Sequence, residues 1–119
     1  MPKRATKPDP PTLRGKLWLD RAGKAVVTDH GIDLLEQIDA CGSLSEAARR
    51  LRFAYRRAWL MLDAMNGAWP TPLVITATGG KQGGGAKLTE RGRHVVRAYR
   101  DLQLQLEHLI DTAGDPFET

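Results

Sequence analysis

The sequence predicts a mainly α-helical domain with small β hairpins: a winged helix-turn-helix with an N-terminal β-hairpin and a long C-terminal dimerisation helix. Three observations predict it. The stretch SLSEAARRLRFAYRRAWLMLDAMNG, from Ser43 to Gly67, reads as two helices around a tight turn, with arginines crowded at the start of the second. A glycine-rich run, TGGKQGGG, follows between two segments of strand character, as in a wing. In the last segment Val95, Tyr99, Leu102, Leu106 and Leu109 recur at spacings of four and three, a heptad seam on an otherwise polar helix.

Prolines at positions 2, 8, 10 and 11 keep residues 1–12 extended, and a disordered tail outside the fold is expected there. The folded domain then covers residues 13–119. LRGKLWLD alternates as a strand, with Leu17 and Leu19 on one face and Trp18 on the other, and KAVV returns as its partner. The loop from Asp20 to Gly23 reads as longer than the favoured two-residue hairpin turn. Ile32, Leu35 and Ile38 make an amphipathic helix from about Asp29 to Ala40, with Asp29 as its cap and Gly42 as a left-handed stop.

The first helix of the central pair starts at Ser43 or Ser45 and packs through Ala47, Ala48 and Leu51, small enough to let another helix cross closely. Phe53 plugs the corner. The longer helix runs from about Ala54 to Gly67 with Ala58, Trp59, Leu62 and Met65 on its apolar side, so Trp59 is expected in the core. After the prolines of AWPTPLV, strands LVITA and AKL frame the wing. Thr89 caps the final helix, about residues 90–112, and Glu90 suits its first turn against the helix dipole.

At 119 residues the chain is large enough for one core. Its net charge is +4 with a pI near 9.6, unevenly spread. Five arginines fall between Arg49 and Arg57, whereas from Asp101 onward there are five carboxylates and no Lys or Arg. The basic region suits a polyanion, and the acidic end must point elsewhere. An arginine run alone could be a solvated helix face. These arginines instead flank the turn and first turn of a helix, with Tyr55 among them. Tyr55, Arg56 and Arg57 are therefore expected at base edges and phosphates of the major groove, Arg49 and Arg50 at phosphates, and Lys81, Gln82 and Lys87 as wing contacts. Part of the heptad seam, near Val95 and Val96, must dock on the chain's own domain, and the seam of Val95, Tyr99, Leu102, Leu106 and Leu109 is expected to join two copies rather than dock there entirely.

Other chemistries fit poorly. The single Cys41 precludes an intramolecular disulfide and a thiolate zinc site, and suits a cytoplasmic protein. His30, His94 and His108 are scattered without metal-ligand spacing. The glycine run lacks the Gly-Lys-Ser/Thr and following helix of a phosphate-binding loop. No run approaches the roughly 20 apolar residues of a membrane span. No catalytic constellation, cofactor or metal site is expected.

GKLWLDRAGKAVV, IDACGSLSEAARRL, YRRAWLMLDAMN, ITATGGKQGGGAKLTERGR and the trailing helix together resemble the N-terminal DNA-binding domain of ModE-type molybdate-responsive regulators, a LysR-like winged helix. The likeness covers about Leu13 to Arg100. It implies a bacterial transcription factor, a homodimer joined chiefly through its first and last helices, with two recognition helices in successive major grooves of a palindromic operator. Two positions depart from the family pattern. Arg52 stands where the turn usually carries Gly, at a cost if the backbone is left-handed, and could add a phosphate contact in exchange. Ala54 stands where Ser or Thr usually caps the recognition helix, a loss of about 1 kcal/mol. The family's molybdate-binding domains have no counterpart in these residues, so molybdate binding by this chain alone is not carried over. A second expectation, from a different class, is an oxyanion-binding or protein-interaction module that uses the winged helix only as scaffold.

Overall fold

Apolar residues at helical spacing make the first helix the centre of the molecule. The computed structural model describes residues 9–77 and 85–117, in the order β1 (Leu19–Arg21), β2 (Lys24–Val27), α1 (Asp29–Cys41), α2 (Leu44–Leu51), α3 (Tyr55–Asn66), β3 (Val74–Ala77), β4 (Gly85–Leu88) and α4 (Glu90–Ala113). Ile32, Leu34, Leu35 and Ile38 of α1 are fully buried. Around them close Ala47 and Ala48 of α2, Ala58, Leu62 and Met65 of α3, Leu73, Val74, Ala86 and Leu88 at the wing, and Val95 and Tyr99 of α4. The two alanines of α2 do what their size predicts: they let α1 and α3 close on α2.

Both sheets are two-stranded antiparallel hairpins, β1 with β2 and β3 with β4. The N-terminal hairpin differs from expectation in two ways. Arg21 pairs with Lys24, so the turn is the two-residue kind, Ala22 and Gly23, both at positive φ (53° and 82°). Pairing also stops at Leu19 with Val27, because β2 gives way there to α1. The preceding residues run unpaired along α4, where Gly15 lies against Leu106 and Ile110 and the Tyr99 hydroxyl donates to the Leu17 carbonyl at 2.8 Å. Burial, and next Asp29, raise the Tyr99 pKa above its ordinary value, which keeps that proton in place. Leu17 and Leu19 pack on the core and Trp18 is exposed, as their alternation predicts. Of the expected tail, residues 1–8 lie outside the described residues, and 9–12 are exposed without regular structure.

The cap of α1 is Thr28, not Asp29: Thr28 Oγ1 accepts from the Gly31 N–H at 3.3 Å, three residues on, and Asp29 is the first helical residue. Gly42 ends α1 in the left-handed region, φ 71°, as expected. Its carbonyl accepts from the Ala86 N–H at 3.0 Å and ties the α1–α2 turn to the wing. Ser43 caps α2, accepting from the Glu46 N–H at 3.1 Å.

The base of the wing is held by side chains that satisfy backbone groups. Asn66 Oδ1 accepts from the N–H groups of Leu73 and Val74, at 2.9 and 3.1 Å, while its Nδ2 donates to the Val74 carbonyl. Thr89 Oγ1 caps α4 through the Gly92 N–H and donates to the Pro72 carbonyl at 2.7 Å. Helix and strand approach so closely here that a Cβ on Gly92 would lie 2.2 Å from the Leu73 carbonyl oxygen. Further along α4, Arg100 bridges to Asp33 and Glu36 of α1 at 2.9 and 2.6 Å, and hydrogen bonding with Glu36 above all raises its pKa.

Candidate nucleic-acid interface

The corner between α2 and α3 carries the cations. Arg52 adopts the left-handed conformation, φ 60°, that its place in the turn demands, and Phe53 donates its N–H back to the Ala48 carbonyl at 2.9 Å. Ala54 caps α3 without a side-chain hydrogen bond, so the first turn of α3 keeps unsatisfied N–H groups. Tyr55, Arg56 and Arg57 follow directly, all exposed, as are Arg49, Arg50 and Arg52.

The six side chains are not equivalent. Arg49 and Arg50 both bind Glu46, at 2.6 and 3.3 Å, and Arg50 also donates to Gln37 Oε1 at 3.2 Å. Arg49, first through its hydrogen bonds, holds the Glu46 carboxyl below the ordinary carboxylate range. Arg57 lies over the Phe53 ring, 4.5 Å from its centroid, a cation–π contact that fixes the guanidinium beside the turn. Arg56 makes no salt bridge among the described residues. It stands at the rim of an almost wholly apolar groove of about 540 Å³ between α3 and β2, shared with Val26, Leu60 and Met61.

On the wing, Lys87 is exposed and pairs with Ile75 on the outer face of the hairpin, opposite the face where Thr76 and Ala86 meet. Thr76 and Ala86 border a second groove of about 350 Å³ with Tyr55 and Trp59 of α3. Lys81 and Gln82 lie outside the described residues.

Trp59 corrects the sequence reading. It is 48% exposed rather than in the core, because Ala58, Leu62 and Met65 fill the buried side of α3 and position 59 falls on its shoulder. Leu60, 49% exposed, and Asp63, also exposed, were missed altogether. A stricter wheel would have found all three, since they fall one and two turns beyond Tyr55 and Arg56 on the same face. A second arginine cluster, Arg91, Arg93 and Arg97, was likewise missed; it lies with Glu90 and His94 around a groove beside Thr71 at the base of the wing.

The heptad seam divides. Val95 and Tyr99 are buried in the chain's own core, and Leu106 is half-buried against the N-terminal segment. Leu102 and Leu109 are exposed. At about 3.6 residues per turn Tyr99 and Leu106 fall on one side of the stripe and Leu102 and Leu109 on the other, so the stripe reaches two different surfaces.

Two helices around a tight corner, a β hairpin directly behind and cations on the outward first turn make a winged helix-turn-helix domain of the kind found in transcriptional regulators. The chain is a homologue of ModE-type regulators. It is 38% identical over 100 residues to the molybdenum transport protein ModE of Azotobacter vinelandii, covering 84% of the chain and 37% of that relative. It is 40% identical over 84 residues to the transcriptional regulator ModE of Haemophilus influenzae, covering 71% of the chain and 33% of the relative. It is 41% identical over 76 residues to the DNA-binding transcriptional dual regulator ModE of Escherichia coli K12, covering 64% and 29%. The chain thus spans about a third of the length of these relatives. No family model matches it. None of the three names is that of an enzyme. Among the described residues, no His, Cys, Asp and Glu side chains group to hold a metal ion, and no helix is long and apolar enough to cross a membrane.

Proposed function

We propose that the chain binds double-stranded DNA as a homodimer in the bacterial cytoplasm and regulates transcription, with α3 in the major groove. The observation that carries this reading is the exposed first turn of α3, where Tyr55, Arg56 and Arg57 stand together beside Arg52. Arg56, without a salt-bridge partner among the described residues, offers its fork to a guanine edge. Arg57, laid on Phe53, and Arg52 in the turn meet phosphates on one side, and Arg49 and Arg50 add phosphate contacts from the end of α2. Lys81, Gln82 and Lys87 supply the wing contacts. Leu102 and Leu109 of α4 form the part of the seam that meets a second copy, which would set two α3 helices on a palindromic site. The molybdenum in the relatives' names is not carried to this chain.

Fluorescence anisotropy across a salt series, on duplexes selected from a random library, tests the reading. Arg56→Ala and Arg57→Ala are expected to keep the circular dichroism of the parent and to weaken binding about ten-fold or more, with Arg56→Ala also relaxing sequence preference. Unchanged affinity in both variants, or the absence of a salt slope, would overturn it.

A further inference from the structure

We infer that Leu60 and Trp59 read the C5-methyl groups of thymine, so that each half-site holds thymine within about two base-pair steps of the pair met by Arg56. The inference rests on the DNA-binding reading above and names what that surface selects. Leu60 and Trp59 are each about half exposed, at 49% and 48%, on a helix where Leu62 and Met65 are buried and Met61 is partly buried. They are not spare core. The buried side of α3 is already filled, and both residues lie one turn beyond Tyr55 and Arg56 on the outward side. An uncovered apolar pair on a small domain calls for an occupant.

The surroundings say which. Arg56 and Arg57 line the groove that holds Leu60, and Tyr55 lines the one that holds Trp59, so a partner that spans both must be anionic at the edge and apolar at the centre. A duplex meets both demands at once, phosphates outside and base edges within. Among the groups that base pairs show in the major groove, the thymine C5-methyl is the apolar one. Leu60 set against a polar base edge would strip its water and return no hydrogen bond, so cytosine is disfavoured where thymine is accepted. Four residues of helix separate Arg56 from Leu60, a rise of about 6 Å. With base pairs about 3.4 Å apart, the methyl lies no more than about two steps from the pair read by Arg56.

The test replaces each thymine of a selected half-site in turn by deoxyuridine, which pairs as thymine does and lacks only the methyl group. Anisotropy titrations on the unaltered chain are expected to show about three- to five-fold weaker binding at one or two positions, the worth of a single buried methyl. At those positions Leu60→Ala or Trp59→Ala should bind the thymine and uracil duplexes alike. A chain that binds with a steep salt slope yet ignores every methyl overturns this inference alone. So does methyl sensitivity that survives both substitutions. A chain that retains no duplex at all overturns the DNA-binding reading with it. The uracil series on the unaltered chain is enough to overturn the inference by itself, and Leu60→Gln or Trp59→Gln, at the same exposed positions, replaces an alanine variant that fails to fold.

Discussion

At the base of the wing every local choice agrees with the fold, whereas at the corner between α2 and α3 two choices work against it. Asn66 satisfies two N–H groups and a carbonyl where the chain leaves α3, Thr89 caps α4, and Gly92 admits the Leu73 carbonyl. At the corner, Arg52 holds a left-handed backbone and Ala54 leaves α3 uncapped. Local costs in natural proteins gather at functional positions, and here they gather among the cations proposed to meet DNA. The base of the wing is built for stability; the corner gives some up for charge.

Four substitutions break or sharpen that contrast. The largest effect is expected at Gly92→Ala, where the new Cβ meets backbone that cannot swing aside. A loss of about 3 kcal/mol, read as a lower urea midpoint, is expected, and a midpoint unchanged from the parent would mean that the base has slack. Asn66→Ala strands the Leu73 and Val74 amides and should cost about 1–3 kcal/mol by the same measurement. Arg52→Gly goes the other way: relief of the left-handed backbone is expected to stabilise the fold by about 1 kcal/mol. The same change should lower the log–log salt slope of duplex binding by about one phosphate contact per protomer. Greater stability without a change in slope would leave Arg52 no part in binding. Ala54→Ser, the smallest, should add about 0.5–1 kcal/mol by capping α3 and leave the salt slope as it was.

The order of elements was legible in the sequence because helix period, proline breaks and glycine runs are local signals. Ser43, Gly42 and Thr89 stand at the helix ends where their chemistry puts them. What was not legible depends on tertiary packing. Thr28 displaces Asp29 as a cap by a single residue, and the hairpin turn is short because Arg21 pairs with Lys24 and Ala22, not a glycine, takes a positive φ. Trp59 was misplaced because apolar character alone does not say which shoulder of a helix faces inward, and Leu60 was passed over for the same reason. The docking of the α4 seam on the chain's own domain was expected near Val95 and Val96, and it extends further, through Tyr99 and Leu106, onto the N-terminal segment. Among the proposed contacts, the residue types were visible from the start. Their division into paired Arg49 and Arg50, stacked Arg57 and unpaired Arg56 needed geometry.

Glu46 gives that division a consequence for ions. Its carboxylate, kept charged by Arg49, pairs with both Arg49 and Arg50, so α2 carries part of its own counter-ion. On the proposed reading, a duplex that reaches Arg49 and Arg50 displaces a fixed carboxylate rather than gaining two bare cations. Fewer condensed cations are then released into solution for each protomer bound, and the slope follows the phosphate contacts of Arg52 and Arg57 more closely than all five arginines. The chain would therefore discount indiscriminate attraction to any polyanion and leave more of the choice of site to α3.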